Sequence, residues 1–243
     1  MATYYRVDHS FYAVVRDTRV MFGNPKLLAM PCVDVEIIDD LVYINNVSYH
    51  AACNITNNLE SGADGTVIML NAAIRFIQQI FPNAHRIELS DSSGYIDREH
   101  GRSVNLPDKY MFLWKHTWYQ KHFPAFKFKP KDARARSRTR KFLLQLDKKP
   151  THKECVAIGI RPESQTLYDG IAEIHPIRID VYGVIQKAMY VYGIPSFMGM
   201  PFVGTVPTDL PEVSYKKIKK PQHLKAQWGG MANEHFRHVT WIE

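Results

Sequence analysis

One amphipathic segment constrains this chain more than any other. Between Thr66 and Phe81, apolar residues recur at Val67, Leu70, Ile74, Ile77 and Phe81, steps of three and four that place one buried stripe on a helix. Ala73 and Ile80 widen the stripe, and Asn71, Arg75, Gln78 and Gln79 occupy the rest of the circumference. Asp64 is positioned to cap the start by accepting backbone N–H bonds, and Pro82-Asn83 ends the helix. In Arg86-Ile87-Glu88-Leu89-Ser90 apolar and polar residues alternate with the period of a strand. Asp91-Ser92-Ser93-Gly94 then breaks regularity. A second helix is predicted from Asn105-Leu106-Pro107-Asp108, with proline in its first turn. It continues through Met111, Trp114, Thr117 and Trp118 to Lys121-His122-Phe123, before Pro124.

Upstream, Phe11 to Val15 is a short apolar strand candidate, and Cys32 to Ile38 alternates before an Asp39-Asp40 turn. Leu41 to Ile44 and Val47 to Ile55 read as a hairpin through Asn45-Asn46. Downstream, Cys155 to Ile160 and Ile177 to Val184 read as strands, and the proline-bearing stretch from Ile194 to Pro211 as an extended, turn-rich surface element. The expected class is α+β: a mixed, mostly antiparallel sheet flanked by helices, with a strand-rich C-terminal extension. Three segments are expected: a domain over 1–126, a basic linker or strip over 127–150, and an α+β extension over 151–243.

Charge is concentrated. The stretch Lys127, Lys129, Lys131, Arg134, Arg136, Arg138, Arg140 and Lys141 holds eight basic residues and one acid, Asp132, a local excess equal to the +7 of the whole chain. One concentrated run points to a binding strip for nucleic acid, an anionic membrane surface or an acidic protein, whereas diffuse charge would point to solubility; the other reading of the run is a solvated linker between two halves. In an extended chain the alternation Arg134, Arg136, Arg138, Arg140 places four guanidiniums on one side. Ser137 and Thr139 between them are able to accept phosphate, and Phe126, Phe128 and Phe142 flank the run for stacking on unpaired bases. Lys216-Lys217-x-Lys219-Lys220 is a second, smaller basic cluster.

No run of residues approaches a membrane span, and the start of the chain has no apolar signal core. Cys32, Cys53 and Cys155 lie far apart with no paired spacing, which fits a reducing compartment. An intracellular location, cytoplasmic or nuclear, is expected, with a virion as a further setting. His235 and His238 have helical metal-ligand spacing beside Glu234, but no third ligand is identifiable, so no metal is expected. Cys53 lies three residues from His50. In a strand those side chains face opposite ways, so Cys53 is expected to be a buried thiol.

The segment Gly62-Ala63-Asp64-Gly65-Thr66, the helix after it, Ile87-Glu88-Leu89-Ser90-Asp91-Ser92 and Thr117-Trp118-Tyr119-Gln120-Lys121-His122-Phe123 together resemble the core of the GNAT acetyltransferase superfamily. The nearest likeness is to the divergent GNAT-like proteins of large DNA viruses. The resemblance implies that Gly62, Ala63, Asp64, Gly65 and Thr66 form the turn that binds the pyrophosphate of acetyl-CoA. A helix N-terminus suits that role because its free N–H groups and dipole attract anions. It also implies Tyr119 as the acid that protonates the departing thiolate. Glu88, with Asp91 beyond it, is the candidate base for an amine substrate. The family's turn usually reads Gln/Arg-x-x-Gly-x-Gly/Ala, which neither register of Gly62 or Gly65 reproduces, and Asp64 carries negative charge toward a pyrophosphate. The sequence therefore favours a non-enzymatic structural or assembly protein on an acetyltransferase-like scaffold. It would contact nucleic acid or acidic partners through the basic strip within a larger assembly, with no cofactor. The alternative is an acetyl-CoA-dependent N-acyltransferase.

Overall fold

A computed structural model describes residues 1–8, 10–23, 31–47, 53, 63–91, 93–97, 100–123, 129–130, 133–176, 180–220 and 240–241. The chain is α+β. It divides into two compact units, each discontinuous in sequence: Met1–Ser90 with His122–Phe128 and Val203–Glu243, and Asp91–Lys121 with Lys129–Phe202.

The first unit is built on an antiparallel meander: β1 (Ala2–Val7), β2 (Phe11–Arg16), β3 (Arg19–Gly23), β4 (Val33–Ile38) and β5 (Leu41–Val47). Aspartates make its turns: Asp8, Asp17 and Asp39 take positive φ of 48°, 51° and 54°, which short polar side chains tolerate better than most. The helix α1 (Ala63–Ile80) follows, and β6 (Arg86–Asp91) returns parallel to β5. Strand β10 (Met200–Thr205) lies next to β6, and β11 (Tyr215–Ile218) pairs antiparallel with β1 at the far edge. The first unit also holds a two-residue strand, β12 (Thr240–Trp241). In strand order this sheet runs β11-β1-β2-β3-β4-β5-β6-β10.

Within the predicted helical stripe Leu70, Ala73, Ile74 and Ile77 are enclosed, whereas Val67, Ile80 and Phe81 are half-buried. Phe76 is the central packing residue. Its ring lies 5.3 Å from Tyr5, 6.3 Å from Phe22 and 5.5 Å from Tyr215, so α1 covers the sheet face that carries those three residues. The helix begins at Ala63, so Asp64 lies inside the first turn rather than at the cap. Gly62 lies outside the described residues.

The second unit holds the hairpin β7 (Gly94–Asp97) and β8 (Arg102–Asn105), the short strand β9 (Lys129–Pro130) and the helices α2 (Leu106–Trp114), α3 (Trp118–His122), α4 (Ala133–Leu146), α5 (His152–Ile158), α6 (Leu167–Ile174) and α7 (Val181–Tyr192). Phe142 sits between Phe112 and Phe197, with ring centroids 4.8 and 4.7 Å away.

Several expectations are corrected here. The single helix predicted across Asn105–Phe123 is two, because Lys115 adopts left-handed φ of 59° and donates its N–H to Met111 as the C-cap of α2. Cys155–Ile160, expected as a strand, is mostly α5, started by a capping box in which the Thr151 side chain accepts from the N–H of Glu154 and Glu154 accepts from that of Thr151. From Val181 on, the predicted Ile177–Val184 strand is α7, capped by Asp180; residues 177–179 lie outside the described residues. Ala133–Leu146, expected within a basic linker, is the helix α4. Asn45 and Asn46 do not turn a hairpin, since β5 continues through them to Val47.

Cys32 and Cys53 form a disulfide, with Cα atoms 6.0 Å apart. This overturns the expectation of unpaired thiols, because spacing of 21 residues along the chain says nothing about proximity once a hairpin folds between them. Disulfides belong to oxidising compartments, so the cysteines do not argue for a reducing one. Cys155 is free and buried. No helix among the described residues is long and apolar enough to cross a membrane.

Candidate functional site at a parted pair of parallel strands

The pairing of β5 with β6 begins at Leu41 opposite Arg86 and stops at Ile44 opposite Leu89, although β5 continues to Val47 and β6 to Asp91. A bulge marks the stopping point. On the other side of β5, Asp34 pairs with Asn46 and Val35 with Ile44, so Asn45 is an extra residue without a partner in register. A bulge bends its strand and raises local twist. It also resets the face: Val42, Ile44 and Val47 are all buried despite the three-residue step between the last two. Register pairing between the two parallel strands thus ends short of both carboxyl ends.

Helix α1 starts at that same end. Its last residue, Ile80, precedes the first residue of β6 by a short connection, so the 18-residue helix lies antiparallel to β6 with its N-terminus toward the strands' carboxyl ends. A helix leaves its first four N–H groups without intrahelical partners; in α1, described from Ala63, the first turn is Ala63, Asp64, Gly65 and Thr66, and the residues before it lie outside the described residues. The Oγ1 of Thr66 is buried with no hydrogen-bond partner among the described residues, an orphaned donor and acceptor in the first turn. In open α/β sheets the crevice beyond the carboxyl ends of parallel strands, next to a helix N-terminus, suits an anionic ligand. Glu88 is 7% exposed, on β6 opposite Tyr43 of β5. It lies on the sheet face away from α1, since it alternates with the buried Ile87 and Leu89.

The second unit holds Tyr119, enclosed at 7% exposure in α3, its ring 5.1 Å from that of Trp118. Burial, with a contribution from the Asp91 carboxylate, pushes its phenol pKa far above the ordinary value. Tyr119 therefore keeps its proton throughout the neutral range, and burial makes it a weaker acid than an exposed phenol.

Two carboxyl groups in this unit are buried without a cationic partner among the described ion pairs. Asp91 Oδ1 accepts from the N–H and Oγ of Ser93 (3.2 and 2.5 Å), while its Oδ2 is buried and unpartnered among the described residues. Its pKa is pushed up to about 6, chiefly by burial. Asp108 accepts from the Phe197 N–H (2.6 Å), from Ser196 Oγ at both oxygens (3.1 and 2.9 Å) and from Asn105 Nδ2 (3.2 Å). Burial raises its pKa against those bonds. Asp108 was not among the sequence candidates. The Asn105-x-x-Asp108 helix start was visible, but the partners at 196 and 197 come from a distant stretch.

The basic run is split. Lys127 and Lys131 lie outside the described residues, and Lys129 falls in β9. Arg134, Arg136, Arg138, Arg140 and Lys141 fall in α4, with Arg140 and Lys141 exposed. In a helix, alternate residues are about 200° apart around the axis, so the four arginines do not share one side as an extended chain would give. Among the described residues, no group of three or more His, Cys, Asp and Glu is placed to hold a metal ion. His235 and His238 lie outside the described residues.

Neither a protein-family model, nor a curated protein, nor a solved structure matches the chain.

Proposed function

We propose that this chain is an N-acyltransferase of GNAT-like architecture that takes acetyl-CoA at the carboxyl ends of β5 and β6. The observation that carries this is the coincidence, in one place, of a bulge at Asn45, the end of β5–β6 pairing and the start of α1. A helix first turn and the orphaned Thr66 Oγ1 fit an anion, and Ala63, Asp64, Gly65 and Thr66 are the residues that would hold the pyrophosphate. Acetyl-CoA supplies an activated acyl thioester when bound. Glu88, enclosed on β6, would accept a proton from an amine.

Calorimetric titration of the full chain with acetyl-CoA tests this, repeated with Gly65→Glu and with a thermal melt to show that the variant is folded. Micromolar binding that disappears in the folded variant is the expected result. Absence of binding by the unaltered chain would overturn the proposal. Given binding, Glu88→Gln should leave affinity within about twofold and lower turnover by about a hundredfold or more.

A second function, a non-enzymatic assembly role through contact with a polyanion, is favoured by the exposed Ser137, Arg140 and Lys141 of α4. Under it, replacing Arg134, Arg136, Arg138 and Arg140 with Gln should abolish salt-sensitive binding to nucleic acid, with acetyl-CoA playing no part.

A further inference from the structure

The outward face of α4 carries an exposed serine set among cations. Phe142 and Leu146 are enclosed and fix the inner side of the helix, with Phe142 between the rings of Phe112 and Phe197. Steps of three and four gather Ser137, Arg140, Lys141 and Leu144 on the far side, and all four are exposed. Thr139, the other hydroxyl of α4, falls toward the Phe142 side and is half-buried. The charges of α4 also run against its dipole. Acids are favoured near a helix N-terminus and bases near its C-terminus. In α4 the first turn holds Arg134 and Arg136 and no acid, the last turn holds no base, and no acid occurs from Ala133 to Leu146.

We propose that Ser137 is a phosphorylation site, modified by a protein kinase that recognises serine preceded by arginine, and that Arg140 and Lys141 hold its phosphate. Two arguments, one for recognition and one for retention, select this residue. Arg134 and Arg136 stand three and one residues before Ser137, a cationic approach complementary to an acidic substrate groove. Once attached, the phosphate lies one turn before the exposed Arg140 and Lys141. An anion followed by cations at i+3 and i+4 is the favourable order on a helix. The phosphate offers those cations charge-assisted hydrogen bonds and brings about −1.5 to −2 of charge into the N-terminal half of α4. In the transfer, Ser137 Oγ bonds to the γ-phosphorus of ATP and the bond from that phosphorus to the bridging oxygen breaks. ADP leaves with the electron pair, and the hydroxyl proton passes to the base of the kinase. The site stands whether the chain is an acyltransferase or a polyanion-binding protein.

Incubation of the folded full chain with ATP and an arginine-directed serine kinase, followed by mass spectrometry of its fragments, tests the site. One phosphate on Ser137 is expected, absent in Ser137→Ala. Thermal melting by circular dichroism at low salt tests the retention. The phosphorylated chain is expected to melt above the unmodified one at neutral pH. That gain should fade with added salt and below a pH of about 6, where the phosphate takes up its second proton. Changing Arg140 and Lys141 together to Gln should leave Ser137 modified and remove at least about half of the gain. Both side chains are exposed, so the variant keeps its fold. No phosphate on Ser137, or phosphate on Thr139 in its place, would overturn the proposal. So would a phosphorylated chain that melts no higher than the unmodified one, or a gain that survives intact in the Arg140→Gln, Lys141→Gln variant.

Discussion

At the end of β6, Asp91 is 1% exposed and its pKa stands at about 6 against an ordinary value of 3.8. A carboxyl whose folded pKa lies above its unfolded one binds more protons in the folded state. Its effect is therefore most favourable below pH 3.8 and becomes destabilising as pH rises through about 6. The shift of about two units corresponds to a cost on the order of 3 kcal/mol at neutral pH. Asp91→Asn, which retains an acceptor for Ser93, is expected to melt higher than the unaltered chain at pH 7 and to lose the decline between pH 4 and pH 6. Thermal unfolding by circular dichroism across that range would show it. Glu154 acts in the opposite sense: its bonds to Thr151 hold its pKa below the ordinary value. Its contribution is present above the unfolded pKa and lost as pH falls through the folded one. Glu88 and Asp91 were legible in the sequence as acids late in a strand. Asp91's enclosure was not, because it depends on what packs around the strand end.

At the scale of elements, local chemistry outweighed apolar pattern wherever the two conflicted. Cys155, Ala157 and Gly159 alternate with Val156, Ile158 and Ile160 in a way that suits a strand, yet Thr151 and Glu154 close a capping box and the segment winds into α5. The Thr-x-x-Glu signature was present in the sequence, and the alternation that follows it points the other way. Thr151→Ala should cost about 1 kcal/mol, read as a lowered denaturation midpoint at unchanged slope. Serine at the same position should restore most of it. In α1 the three-and-four spacing carried the whole prediction, because a stripe that long has one way to be buried. Asn45 and Asn46 resemble a turn by residue type, but β4 continues past them on one side, so one asparagine is taken up as a bulge and Val47 stays in the core.

Across the whole molecule, the Cys32–Cys53 bond joins the entry to β4 with the connection between β5 and α1, and both cysteines are fully enclosed. Closing a loop of 21 residues removes unfolded-state freedom worth about 3 kcal/mol. Cys53→Ser is expected to lose about that much in equilibrium urea unfolding, and reducing agent should destabilise the unaltered chain while leaving the variant unmoved. A match between the two proteins in both conditions would mean that the bond does not form in solution.

The α+β class, the amphipathic helix and the strand after it follow from the sequence alone, because apolar periodicity within 15 or so residues selects helix or strand without reference to distant parts. The concentration of positive charge was equally plain. What only the tertiary structure decided is which strands run parallel, where the pairing of β5 with β6 stops, which cysteines pair, and which side of α4 faces outward with Ser137, Arg140 and Lys141. Each of these depends on residues brought together from far along the chain, and register and chain crossing, rather than local preference, set those meetings.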